Sequence, residues 1–316
     1  MAEGADPQVE AAIARLSNWG RWGAEDELGT VNFITPAKRV EAAALVRKGK
    51  VFSLSIPLDE SGPQPSFERR LNPRHLMLAT GTDLRSGVQP GAVGGIGEAD
   101  DMVTMALQAA TQWDSLAHIF YDYKMYNDRD CALVSAHGAA KNSIAVLADR
   151  VVSRGVLADV ARHLGADHLP LDHRITVAEL EATLERQQVE IRSGDVLLIR
   201  TGNLQRARSA GGWDRFTYSD EPGIGLDALP WVHEREIAAV AADTWALEVL
   251  PSGTSLWLPV HAVAIVHMGL LVGEIFDLEA LAADCEEDGV YEFFFSAPPL
   301  PFTGGVGSPV NPMAVK

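Results

Sequence analysis

Eleven residues, Gln108-Ala109-Ala110-Thr111-Gln112-Trp113-Asp114-Ser115-Leu116-Ala117-His118, constrain this chain more than any other stretch. They bring two amides, two hydroxyls, an indole, a carboxylate and an imidazole into one short segment. A stretch that only filled a core would not be this polar. Buried polar groups need partners, and a buried charge must be paired or bound to a cation. Gln108, Gln112, Asp114 and His118 are spaced by even numbers, so an extended strand would turn all four to one face. A helix would split them into two i,i+4 pairs, Gln108 with Gln112 and Asp114 with His118. In both readings Asp114 and His118 share a face. A hydrogen-bonded structural cluster and a functional site both satisfy the pattern.

A second polar set sits in an apolar frame near the C-terminus. His261, His267 and Glu274 punctuate the run from Trp257 onward. One histidine there reads as a satisfied core residue. Two with a carboxylate raise a metal reading, and imidazole with carboxylate suits zinc or manganese. Aromatic residues cluster around the polar segment. Tyr121, Tyr123 and Tyr126 follow it with Lys124, and Trp19 and Trp22 stand in a Gly-rich turn. They read as pocket walls or as packed loops with polar tips in water. Trp22, Trp113, Tyr121, Tyr126 and Trp245 together suggest a substrate with a planar or apolar ring. Asp243 reads as a cap or turn residue or as a substrate contact. Arg200, at the end of an apolar strand, reads as structural.

Several function classes are disfavoured. The net charge of -17 leaves no basic footprint for nucleic acid or an anionic membrane. A small-molecule substrate is the expected partner. Two cysteines, Cys131 and Cys285, cannot form a disulfide framework, and a reduced cytoplasmic setting is the simplest reading. The first residues, MAEGADPQVEAA, lack the basic and apolar regions of a signal peptide. The longest apolar run, 256–266, is broken by Pro259 and His261 and is too short to span a bilayer.

Periodicity and punctuation predict an α/β chain with a mixed sheet. Helices are expected over 8–18, from Pro36 behind a Thr35 cap to about Arg47, over 176–187, and within 228–240. Strands are expected over 50–57, 74–78, 102–107 and 150–160. Others are expected over 189–192, 195–200 and part of 239–247, and around 293–295. Residues 58–74 read as loop, with Glu68-Arg69-Arg70 a solvated charge run. The Gly-rich stretch 86–97 is not a phosphate loop, because no GK[ST] follows and Asp100-Asp101 would repel phosphate. No linker splits the chain, so a single domain spans 1–316. It would carry an N-terminal helical extension (about 1–48) and an irregular, Pro- and Gly-rich C-terminal arm (about 298–316). That arm is long enough to wrap a neighbouring subunit.

Residues 108–118 resemble the motif H-x-G-T-H-x-D-x-P-x-H of the cyclase family of hydrolases. That family includes bacterial kynurenine formamidase, isatin hydrolase and a trans-dienelactone hydrolase. Thr111, Asp114 and His118 match; Gln108, Ala110, Gln112 and Leu116 replace the two earlier histidines, the glycine and the proline. The family's G-D-x-(apolar)-(apolar)-x-R-T-G pattern stands at 194–202, a late His and Glu at His261 and Glu274, and a similar tail at 304–312.

The resemblance implies a swivelling β/β/α fold with a mixed, barrel-like sheet flanked by helices, and a homodimer or homotetramer. It also implies a divalent metal, manganese or zinc, and hydrolysis of a cyclic or aryl amide or lactone. By position, Asp114 would be a ligand, with His261 and Glu274, and with Gln108 and Gln112 in the histidine places. An amide oxygen suits a hard ion such as Mn²⁺ better than Zn²⁺. His118 would be the general base. Two alternatives stay open: a metal-free hydrolase or cyclase/dehydratase using Asp114 and His118, and a non-catalytic small-molecule-binding member of the fold.

Overall fold

The apolar run Val196–Arg200 is buried along its whole length, as a strand covered on both faces must be. It forms the middle of a nine-stranded mixed sheet. The computed structural model describes residues 6–65, 70–89 and 93–316. In chain order the sheet strands are β1 (Val51–Ser53), β2 (Gln112–Asp114), β3 (Val152–Asp159), β4 (Val196–Arg200) and β5 (Ala239–Ala242). They continue as β6 (Leu271–Glu274), β7 (Glu292–Ser296), β8 (Gly307–Pro309) and β9 (Met313–Val315). The spatial order is β1-β9-β7-β3-β4-β5-β6-β2-β8. Strands β3 to β6 run parallel, and antiparallel strands complete both sides. The sheet curls into a half-barrel with helices against it.

The flanking helices start where local chemistry starts them. Helix α1 (Pro7–Leu16) has Asp6 as its cap and Pro7 in its first turn. Helix α2 (Pro36–Ala43) is capped by Thr35, whose hydroxyl accepts from Lys38 N–H. It ends at Ala43, before the expected Arg47. Helix α3 (Val177–Arg186) opens on a capping box between Thr176 and Glu179. Helix α4 (Glu279–Asp288) precedes β7.

The other differences have physical causes. Of the segment 108–118, only Gln112–Asp114 is strand, because β6 and β8 offer partners at just those three positions. Residues 189–192 form no strand, and the helix within 228–240 is confined to Leu229–Glu234. Arg74–Ala79 and Asp100–Thr104 pair only with each other, as an exposed ribbon outside the main sheet. The short helix Gly81–Ser86, opened by a Thr80–Asp83 capping box, escaped the sequence reading. Part of the Gly-rich stretch (90–92) and residues 66–69, which include Glu68 and Arg69 of the charge run, lie outside the described residues. The C-terminal arm supplies β8 and β9 to this chain's own sheet. Among the described residues no helix is long and apolar enough to cross a membrane.

Candidate metal centre

The site grows from the pairing of β2 with β6. Gln112 faces Glu274 across the ladder, and Asp114 faces Val272. Alternation along β2 then puts Gln112 and Asp114 on one face and Trp113 on the other. Gln112 Nε2 donates to Glu274 Oε2 at 2.6 Å. Trp113 turns into the core between Phe276 and Phe295, and its indole N–H donates to Ala297 O at 2.9 Å. Its cross-strand partner is Gly273, where a Cβ would come within 2.5 Å of the Trp113 ring.

A third ligand-type side chain arrives from a helical turn. Pro259–His261 leads into a π-helix, Ala262–Met268, a geometry that often accompanies functional sites. His261 Nε2 lies 3.3 Å from Glu274 Oε1 and 3.9 Å from Asp114 Oδ2. One ligand atom from each of Asp114, His261 and Glu274 falls within 4.8 Å of the others, and all three residues are buried. The other ring nitrogen, Nδ1, meets Glu248 Oε1 at 2.6 Å. Glu248 also accepts from the Val260 and His261 amides, both at 3.0 Å. A histidine whose second nitrogen is fixed by a carboxylate is oriented as metal-binding imidazoles usually are.

The electrostatics are lopsided toward negative charge. Asp114, Glu221, Glu248 and Glu274 are all buried. Glu221 accepts from the Trp245 and Ala246 amides at 2.8 and 2.6 Å. Burial raises its pKa well above the ordinary carboxylate value, and the nearby Glu274 charge adds to the rise. Burial also raises Asp114, again with Glu274 adding; His118, His261 and Arg70 pull the other way. For His261, burial alone would lower the pKa, but hydrogen bonds to Glu248 and Glu274 lift it to about 10.

The unsatisfied atoms give the test of whether a cation fits. Both Asp114 carboxylate oxygens and Gln112 Oε1 are buried without a hydrogen-bond partner. All three are acceptors, beside a carboxylate and an imidazole nitrogen. Orphaned acceptors at this density are costly unless a cation completes them. The donor set of carboxylates, an amide oxygen and one imidazole suits a hard divalent ion. Taking the ion would require His261 Nε2 to surrender its proton.

His118 reaches the site from outside the strand. A turn closed by His118 N donating to Ser115 O at 3.0 Å swings the imidazole back. Its Nε2 then lies 3.7 Å from Asp114 Oδ1. Burial lowers its pKa, with Arg70 and His261 also lowering it and Asp114 opposing. Arg70, read from sequence as part of a solvated charge run, instead places Nη2 3.5 Å from His118 Nε2. Gln108 lies outside the strand; its Nε2 is buried and unpartnered.

The remaining candidates sit elsewhere. Tyr126 is buried with its hydroxyl donating to Asp26 at 2.9 Å, and Tyr121 donates to Glu10 at 2.6 Å. Trp22 packs edge-on to Phe33. Asp243 accepts from Thr201 N, Thr201 Oγ1 and Gly202 N, at 2.7–2.8 Å, and so holds the turn after β4. Burial raises its pKa to about 6. Arg200 pairs with Asp159 and Glu279 as a structural cation. His267 is not in the ligand group; it stacks on Trp19 at 4.6 Å, with neither ring nitrogen bonded. Sequence reasoning missed Glu221, Glu248 and Arg70. A lone carboxylate inside the apolar run Ala246-Leu247-Glu248-Val249-Leu250 was the available signal for Glu248.

The model of the Cyclase family matches residues 52–249. A solved structure described as a novel cyclase is 42% identical over 96% of this chain and 100% of its own, with a TM-score of 0.86. The chain belongs to the cyclase family. Two more distant structures share the fold of this cyclase-family protein. Isatin hydrolase A from Ralstonia solanacearum is 19% identical, over 89% of this chain and 98% of its own, with a TM-score of 0.63. A structure titled as a predicted metal-dependent hydrolase from Bacillus stearothermophilus is 16% identical, over 85% of this chain and 98% of its own, with a TM-score of 0.52. None of the curated proteins matches the chain.

Proposed function

We propose that this cyclase-family protein is a metal-dependent hydrolase that opens a cyclic or aryl amide or a lactone. The observation that carries the reading is the trio of orphaned acceptors, Asp114 Oδ1, Asp114 Oδ2 and Gln112 Oε1, beside Glu274 and His261. Asp114, Glu274 and His261 Nε2 would hold a manganese or zinc ion, with the Gln112 amide oxygen as a further ligand. Such an ion polarises a carbonyl and lowers the pKa of a bound water.

The chain's own residues supply the rest. Glu248 fixes the His261 ring so that Nε2 faces the carboxylates. Burial favours the neutral form of His118, and a neutral imidazole can take a proton. It sits beside Asp114 without being hydrogen-bonded to it, at 3.7 Å. That gap weakens a metal-free scheme in which Asp114 orients His118, since such a scheme needs a hydrogen bond of about 3 Å.

The test is turnover of a panel of cyclic and aryl amides and lactones by Asp114→Ala and His118→Ala. The expected result is loss of about 10²–10⁴-fold in kcat/KM for His118→Ala with metal retained, and loss of both metal and activity for Asp114→Ala. Unchanged turnover of a confirmed substrate in both variants contradicts the assignment.

A further inference from the structure

An arginine adjoins His118, and an unpartnered indole adjoins that arginine. The Arg70 guanidinium touches the imidazole side of the site, with Nη2 3.5 Å from His118 Nε2. Its Cζ lies 5.7 Å from the centre of the Trp245 ring, in cation–π range. Among the described residues no carboxylate pairs with this guanidinium, although it is half-buried. Trp245 is 4% exposed, and its indole N–H has no hydrogen-bond partner. Its backbone is anchored by Glu221, so the ring is held in place. Tyr218 and Trp257 pack on the same indole, at 4.4 and 6.2 Å between ring centres. Both are exposed, and both line a cleft of about 690 Å³. Side-chain contacts therefore run from Tyr218 and Trp257 at the cleft through the buried Trp245 to Arg70, and from Arg70 to His118 beside Asp114.

We propose that Arg70 is a specificity-determining residue that binds a carboxylate on an aromatic substrate, whose ring lies along Trp245. This inference rests on the hydrolase reading for its chemistry and names the substrate class that reading leaves open. A guanidinium fork matches a carboxylate with two parallel hydrogen bonds, and the indole N–H is a further donor nearby. In a chain with a net charge of -17, an anionic substrate requires a local cation of this kind. Among the described residues Arg70 contacts His118 and forms no ion pair with a carboxylate, which leaves its guanidinium fork open to a ligand.

The experiment measures binding, not turnover. Dissociation constants for benzoate and for benzamide are compared by calorimetry on the full chain and on Arg70→Gln and Arg70→Lys. The wild type is expected to prefer benzoate by at least about tenfold. Arg70→Gln should abolish that preference, and Arg70→Lys should keep part of it. Equal binding of the two probes by the wild type overturns the proposal. So does a preference that survives in Arg70→Gln, because the carboxylate would then be held by something else. The two failures separate cleanly. An Arg70-dependent preference without hydrolysis leaves this inference standing and removes the hydrolase reading, and hydrolysis without the preference does the reverse.

Discussion

Glu248 Oε1 sits 2.6 Å from His261 Nδ1 in the buried interior, and the same carboxylate also accepts from the amide of His261. One acid thus sets both the backbone and the ring of a candidate ligand. Glu248→Gln keeps the shape but removes the charge that fixes the tautomer. Loss of such a partner typically costs 10–100-fold in metal affinity. Competition titration with a fluorescent chelator should show a loss of about that size. Unchanged affinity would mean that His261 is not a ligand.

Gly273 makes room for Trp113. A Cβ at Gly273 would lie 2.5 Å from the Trp113 ring, 2.7 Å from Ala241 Cβ and 2.9 Å from the Phe276 ring. Gly273→Ala should therefore lose roughly 1–3 kcal/mol through overpacking. Urea unfolding followed by tryptophan fluorescence measures it. A variant as stable as the parent would show that β2 and β6 approach less closely than described.

His267 gives the protein an acid-sensitive element away from the site. Burial lowers its pKa from 6.5 to about 4, with only Glu10 opposing. The unfolded chain then binds more protons than the folded one across that interval, so stability falls as pH drops from 6.5 toward 4. The effect amounts to about 3 kcal/mol at most. His267→Phe keeps the ring against Trp19 and removes the titration. Its urea midpoint should vary less with pH than the parent's over this range. Parallel curves for the two proteins would refute the assignment.

How far these features were legible in the sequence depends on how local they are. Even spacing put Gln112 and Asp114 on one strand face, and that is how β2 presents them. The same spacing misplaced Gln108 and His118, because the strand spans only three residues and a turn returns His118 to the site. Trp113 read as a pocket residue, yet the odd position on the strand sends it into the core. The opposition of Gln112 and Glu274 depends on a register between strands far apart in the chain, which spacing does not encode. The helix from Thr176 was expected, and Thr35 was readable as a helix cap, because such starts are local. Arg70 was not, because its value comes from the Trp245 and His118 brought beside it by folding.

The central claim is that Asp114, Gln112, His261 and Glu274 form a divalent-cation site. Elemental analysis by inductively coupled plasma mass spectrometry tests it most directly, on protein purified without chelator or added metal. The account predicts close to one manganese or zinc per chain, falling to background in Asp114→Ala. A metal-free protein that still takes up neither ion after incubation with Mn²⁺ and Zn²⁺ would contradict it.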